Sequence, residues 1–236
     1  MSTVRFGGIW QGMTAPLGGR MSELFAVAAP FTLLVDIALR TFGPTPPADA
    51  DGITTTTLFW LVLVPTIIAS LGQLAVVHLL LRPGAPPRAA LAGAFAAWPV
   101  YLAALALAAI PTGVAMLLLV LPGLYVASRL LLVMPLAIVS PRGSPVAMVR
   151  RSWELTRPAG WAIFGFFLVA ILGIFGLSLI AGGVGSAVGS VLTLFGLAAL
   201  GKFAAGLVAA VASTFVSIGN AALAAYLYRS LATAQD

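Results

Sequence analysis

The stretch LPGLYVASRLLLVMPLAIV, residues 121–139, sets Arg129 inside nineteen mostly apolar residues, with Pro122 and Pro135 on either side. Arginine keeps its proton at any physiological pH. At the centre of a lipid-facing helix it costs about 2.5–3.5 kcal/mol. Arg129 is therefore expected to face other helices or a wet cavity and to need an acceptor. Pro122 removes a backbone donor and crowds the preceding turn, and Gly123 loosens the chain beside it. The pair predicts a helix broken at 122–123 into a short outer piece and a longer inner one. Such breaks line ion sites in some transporters, while proline is also frequent in ordinary membrane helices. Both readings stand.

The rest of the chain is equally oily. Of 236 residues, 61% are hydrophobic and 8% charged, against about a quarter charged in a soluble domain. Such a chain cannot cover a water-facing surface, which predicts lipid as its solvent. Crossing about 30 Å of hydrocarbon takes about 20 helical residues. Six stretches suffice, so the predicted fold is all-α: a polytopic bundle with spans at 22–42, 57–81, 89–110, 112–139, 159–181 and 202–228. Residues 1–21 and 229–236 then form cytoplasmic ends. The first span starts after Arg20 and Glu23 and contains Asp36, so it reads as a retained span and not a signal peptide. Residues 182–201 are apolar enough to cross, but glycines at 182, 183, 185 and 189 weaken a free helix. An interfacial or re-entrant segment is expected there. A seventh span is the alternative, and it would separate the termini.

Charge gives the orientation. With the N-terminus inside, the inner segments hold Arg5, Arg20, Arg82, Arg88, Arg142, Arg150, Arg151, Arg157 and Arg229, and the outer ones hold Arg40 and Lys202. Nine against two is the positive-inside pattern. The net charge of +6 thus points to topology and anionic headgroups, not nucleic acid. The first outer loop, residues 43–52, reads as irregular from its prolines and glycines.

Polar residues inside the spans are the candidate sites. Arg129 lies about 15 Å above the Val139 end and Asp36 about 20 Å above Glu23, at 1.5 Å per residue. Asp36 is thus the expected ion-pair partner of Arg129, with Glu154 second. The pair would either line a substrate or ion pathway or fix which helices are neighbours. His78, with Gln73 nearby, reads either as a proton relay or as a hydrogen-bonded interface residue. With no cysteine and one histidine, thiolate chemistry, disulfides and multi-histidine metal sites are excluded within one chain. No metal, cofactor or catalytic residues are expected, because no nucleophile sits with a base and no phosphate loop is present. The TTTT run at 54–57 reads as a helix start.

Two further stretches suggest partners. In PVAMVRRSWELTRPAGW (145–161), Val146, Val149 and Trp153 share one helical face, while Arg150, Arg151, Glu154 and Arg157 supply polar surface. Pro145 opens and Pro158 ends a short helix, about 145–157, expected on the cytoplasmic membrane surface with Trp153 and Trp161 at headgroup depth. It serves as a topology anchor or binds anionic lipid phosphate. In the sixth span Gly201, Ala205, Ala209, Ser213, Ser217, Ala221 and Ala225 recur every fourth residue. All are small, which predicts close helix packing against another span, a second copy or a membrane partner. LVLVPTIIAS (61–70) also echoes LLVLPGLYVAS (118–128), either by duplication of a helix pair or by apolar coincidence.

From 121 to about 165, a Pro-Gly helix with an inner arginine and a later proline leads through a loop to RRSWELTR and another span. This resembles the membrane domain associated with bacterial glycerophosphodiester phosphodiesterases and related stand-alone six-span inner-membrane proteins. Pro122, Gly123, Arg129, Pro135, Ser152 and Trp153 carry the match. The resemblance implies a helical membrane domain of a bacterial inner membrane with little chemistry of its own. The family's activity belongs to a separate soluble domain whose metal-binding acids have no counterpart here. The expected function is a non-enzymatic protein engaging lipids or a partner in envelope homeostasis. The alternative is a small-solute or ion transporter built on the broken fourth span.

Overall fold

A computed structural model describes residues 6–44, 49 and 54–233. Arg5, Asp51 and most of the 43–52 loop lie outside these residues. The described chain is helical, with no strand. Helix α1 (Phe6–Thr14) leads to α2 (Met21–Phe42), and α3 (Thr55–Leu58) runs through a π-helical turn at Phe59–Leu63 into α4 (Val64–Leu81). Then follow α5 (Pro87–Leu118), α6 (Val120–Arg129), α7 (Val133–Val139), α8 (Pro145–Thr156), α9 (Gly160–Leu194) and α10 (Ala198–Ala232). Six helical stretches are long and apolar enough to cross a membrane. They match the six predicted spans in order.

Neighbouring helices form a ring: α2 packs on α4, α4 on α5, α5 on α6, α6 on α9, α9 on α10, and α10 back on α2. The loops carrying Arg82 and Arg142, and the ends of α2 and α10 carrying Arg20 and Arg229, gather at one end, the basic end. Here the packing is tightest. On α4, Leu74 to Leu80 are buried without interruption, and so are Val133 to Ile138 on α7 and Ala221 to Ala225 on α10. Helix α7 contacts α4, α5 and α10 and plugs the ring, which explains why VMPLAIV is apolar on every side. Toward the far end the helices present apolar side chains outward, with Leu117 89% and Leu194 86% exposed. Water would not tolerate so much apolar surface, and a hydrocarbon solvent imposes no such cost.

The fourth span differs from expectation. No break occurs at Pro122–Gly123. Helix α5 extends to Leu118, a single extended residue, Leu119, reverses the chain, and α6 runs unbroken from Val120. Pro122 therefore sits in the first turn of α6, where its missing N–H deprives no carbonyl. The interruption falls at 130–132, and Pro135 again lies in the first turn of the helix that follows.

Residues 182–201 also differ. They form no separate segment, because α9 continues to Leu194 and α10 starts at Ala198. Each has 35 residues, about 52 Å at 1.5 Å per residue, so the hairpin is longer than a bilayer core. Its turn is a Schellman motif. Gly196 adopts φ +76°, its N–H donates to the Thr193 carbonyl, and the Leu197 N–H donates to that of Leu192, both at 2.9 Å. The glycines that weaken a free helix here permit close approach. A Cβ on Gly201 would lie 2.6 Å from the Gly189 carbonyl oxygen, and one on Gly185 would lie 3.2 Å from that of Ala205.

The small row on α10 thus meets several surroundings. Gly201 and Ala205 face α9, Ser213 and Ser217 border a cavity, Ala221 and Ala225 are buried at the basic end, and Ala209 is half-buried. Between α2 and α10 the Thr32 and Thr214 hydroxyls share a buried 2.8 Å hydrogen bond, a contact worth about 0.6 kcal/mol in a membrane interior.

Replacing Gly201 with Leu should force the α9–α10 hairpin apart and cost about 1–3 kcal/mol, read as a lower unfolding temperature in detergent. Gly176→Leu, where a Cβ meets nothing within 4 Å, should leave that temperature near the parent value.

Candidate functional site

Arg129 is the last residue of α6 and is 4% exposed. Three neutral acceptors surround its guanidinium. Nε donates to Thr156 Oγ1 at 2.7 Å, Nη1 to the Tyr125 hydroxyl at 2.8 Å, and Nη2 to the Trp153 carbonyl at 2.6 Å. Its Cζ lies 4.4 Å from the centre of the Trp153 ring, a contact worth about 0.5–2 kcal/mol. The Trp153 carbonyl belongs to the C-terminal turn of α8, where the helix dipole places partial negative charge. The exchange is reciprocal: the Ser152 hydroxyl donates to the Arg129 carbonyl at 2.8 Å, supplying a donor that the end of α6 lacks. Gly160, at the start of α9, leaves the space: a Cβ there would lie 2.8 Å from Nη1 of Arg129 and 3.0 Å from the Tyr125 hydroxyl.

The expected ion pairs of Arg129 are therefore replaced by other contacts. Asp36 pairs with Arg40 one turn along α2, at 3.4 Å, and Glu154 with Arg150 at 3.5 Å and Arg151 at 3.8 Å. Among the described residues Arg129 has no carboxylate partner. The reason is adjacency. Helix α2 packs on α4 and α10, whereas α6 packs on α5 and α9, so similar depth does not bring Asp36 to Arg129. His78 joins neither group. It is buried on α4 against Gly93 of α5, whose Cβ would come within 2.6 Å of its ring, and its Nδ1 has no partner among the described residues. Gln73 and Asp36 border a cavity between α2, α4, α5 and α10.

Helix α8 starts at Pro145 and ends at Thr156, with a 3₁₀ turn through Pro158 before α9. Its inner face buries Met148, Ser152, Leu155 and Thr156. The outer face exposes Val146, Arg150, Arg151, Glu154 and part of Trp153. Trp161 is 76% exposed and stacks on Tyr125, ring centres 5.1 Å apart, with Phe164 edge-on to both. Beside this cluster an apolar groove of about 600 Å³ runs between α5, α6 and α8, walled by Leu107, Ile110, Val126, Leu130 and Val149, with Arg150 and Glu154 at its polar margin. Arg157 is exposed in the turn. Thr54, from the threonine run, caps α3 by accepting the Thr57 N–H at 3.2 Å.

Two functional contacts of Arg129 escaped sequence reasoning, Tyr125 and Thr156. Both are signalled by i,i+4 spacing, Tyr125 before Arg129 and Thr156 after Ser152.

No protein-family model, curated protein or solved structure matches the chain.

A double-mutant cycle separates the two pairings of Arg129. Arg129→Met with Thr156→Val should show a coupling of about 1–2 kcal/mol in unfolding free energy, and Arg129→Met with Asp36→Asn should add within about 0.5 kcal/mol.

Proposed function

We propose that this chain is a multi-pass protein of a bacterial inner membrane that holds an anionic phospholipid at α8 and catalyses no reaction. The basic end faces the cytoplasm, where positive charge concentrates in polytopic proteins. Beside the stand-alone six-span membrane proteins that it resembles, it acts in envelope homeostasis through the lipid, a membrane partner or a second copy.

The observation that carries this reading is the groove of about 600 Å³ between α5, α6 and α8 with Arg150 on its margin. A phospholipid has the same two-part chemistry. An acyl chain fits along Leu107, Ile110, Val126 and Val149, and the phosphate diester meets the guanidinium groups of Arg150 and Arg151, with Arg157 adding attraction. Arginine presents a planar fork suited to phosphate oxygens. The present partner of both arginines, Glu154, holds them only through loose surface pairs of 3.5 and 3.8 Å, which contribute little and yield readily. Each arginine near an anionic surface adds about 1 kcal/mol of attraction. Trp161 suits the headgroup layer.

Transport is the second reading, favoured by the polar cavity at Asp36 and not by a broken fourth span.

Native mass spectrometry of the detergent-purified chain should show retained phosphatidylglycerol or cardiolipin. Arg150→Gln with Arg151→Gln should reduce the lipid-bound fraction several-fold. Val126→Trp, which fills the groove without altering charge, should also reduce it. Unchanged retention in both variants contradicts the proposal.

A further inference from the structure

The cavity between α2, α4, α5 and α10 has a volume of about 370 Å³ and is open on one side. Three of its four helices carry a proline beside it, Pro30, Pro65 and Pro99, and each omits one N–H from its helical ladder. A π-helical turn, Phe59–Leu63, ends two residues before Pro65, a feature frequent at functional sites.

Accounting for the polar groups shows what the cavity lacks. The Thr32 hydroxyl is satisfied by Thr214. Ser70 donates to the Ile67 carbonyl and accepts from Trp98 Nε1 at 3.0 Å. Thr66 and Ser213 donate to carbonyls of their own helices. The Gln73 amide, the Tyr101 hydroxyl and Ser217 Oγ have no hydrogen bond among the described residues. Ser217 is 6% exposed, lines the cavity, and its Oγ is sealed from solvent with no partner. Asp36 meets Arg40 at 3.4 Å as an ion pair with no hydrogen bond between them. Buried polar groups in native proteins are paired, so the unpartnered Ser217 and Tyr101, both buried, are arranged for an occupant, with the half-buried Gln73 and partly exposed Asp36 beside them.

From this we infer that the cavity binds a primary ammonium group, with the Asp36 carboxylate as its counter-ion and Ser217 and Tyr101 as acceptors for its remaining two N–H bonds. A calcium ion would need six to eight oxygens at about 2.3–2.6 Å, and among the described residues no group of three or more acidic or histidine side chains could hold a metal ion. Phe31, Val35, Leu105 and Val216 supply apolar wall for a carbon body. Arg40 controls access to the carboxylate. Its side chain is 51% exposed, so its charged head swings to the aqueous far end while its stem stays along α10 near Gly206. The ammonium then replaces it on Asp36. A free amine and the ethanolamine headgroup of a lipid share this chemistry. None of these residues is on α8, so the site stands apart from the lipid groove.

Isothermal titration of the full chain in phosphatidylglycerol nanodiscs tests it, with n-butylammonium chloride as probe and n-butanol as its neutral isostere. Butylammonium should bind at least tenfold more tightly than butanol. Asp36→Asn should weaken it at least tenfold, Ser217→Ala severalfold, and Arg40→Gln should tighten it by freeing the carboxylate. Equal binding of the two probes by the parent, absence of binding, or parent affinity in Asp36→Asn overturns the proposal. If Asp36→Asn fails to fold, parent affinity in both Ser217→Ala and Arg40→Gln overturns it. With the site upheld, adding phosphatidylethanolamine identifies the source. Competition names the lipid headgroup, and unchanged affinity names a soluble amine.

Discussion

A helix that ends inside a membrane protein leaves carbonyl oxygens that water cannot reach, and this chain answers with arginine. Arg129 donates to the Trp153 carbonyl at the end of α8. Arg20 donates to the Leu79 carbonyl at 3.2 Å, and Arg229 to that of Leu80, so two neighbouring helices supply donors to the last turn of α4. Each guanidinium carries a full positive charge to the partial negative charge of a helix C-terminus. This arrangement explains how a buried arginine persists with no carboxylate partner among the described residues. Two basic residues thereby gain a structural role, since Arg20 joins α2 to α4 and Arg229 joins α10 to α4.

The consequence is an uneven bundle. At the basic end Arg20 and Arg229 tie α2 and α10 to α4, and α4, α7 and α10 share stretches of continuous burial. Toward the far end the α5–α6 turn and the α9–α10 hairpin rely on close approach of small residues and on apolar surface. Cavities persist between the helices. The polar one borders Asp36. The apolar ones lie between α5, α6, α9 and α10 and between α1, α9 and α10.

Much of the fold was legible because hydrocarbon imposes a simple length rule, and the six apolar runs obey it. Pro145 and Pro158 marked α8 correctly, since proline at a first turn and just past a last turn acts locally. Pro122 misled because the same residue breaks a helix interior and opens a new helix, and only the position of the preceding helix end, Leu118, decides which. The glycines at 182–189 misled for a related reason. Propensity in an isolated helix counts against them, whereas packing against Gly201 and Ala205 counts for them. The Asp36–Arg129 expectation rested on depth alone. Depth follows from residue count, but adjacency around the ring does not. Neutral acceptors such as Thr156 and a backbone carbonyl leave only weak traces in sequence, so the true environment of Arg129 stayed hidden.

The most direct measurement of this account is the Nε–H resonance of Arg129 in protein labelled with ¹⁵N-arginine. A guanidinium sealed between Thr156, Tyr125 and the end of α8 predicts slow exchange of that proton with water, and a resonance that moves in Thr156→Val but not in Asp36→Asn. Rapid exchange, or a resonance that follows Asp36 and ignores Thr156, would contradict it.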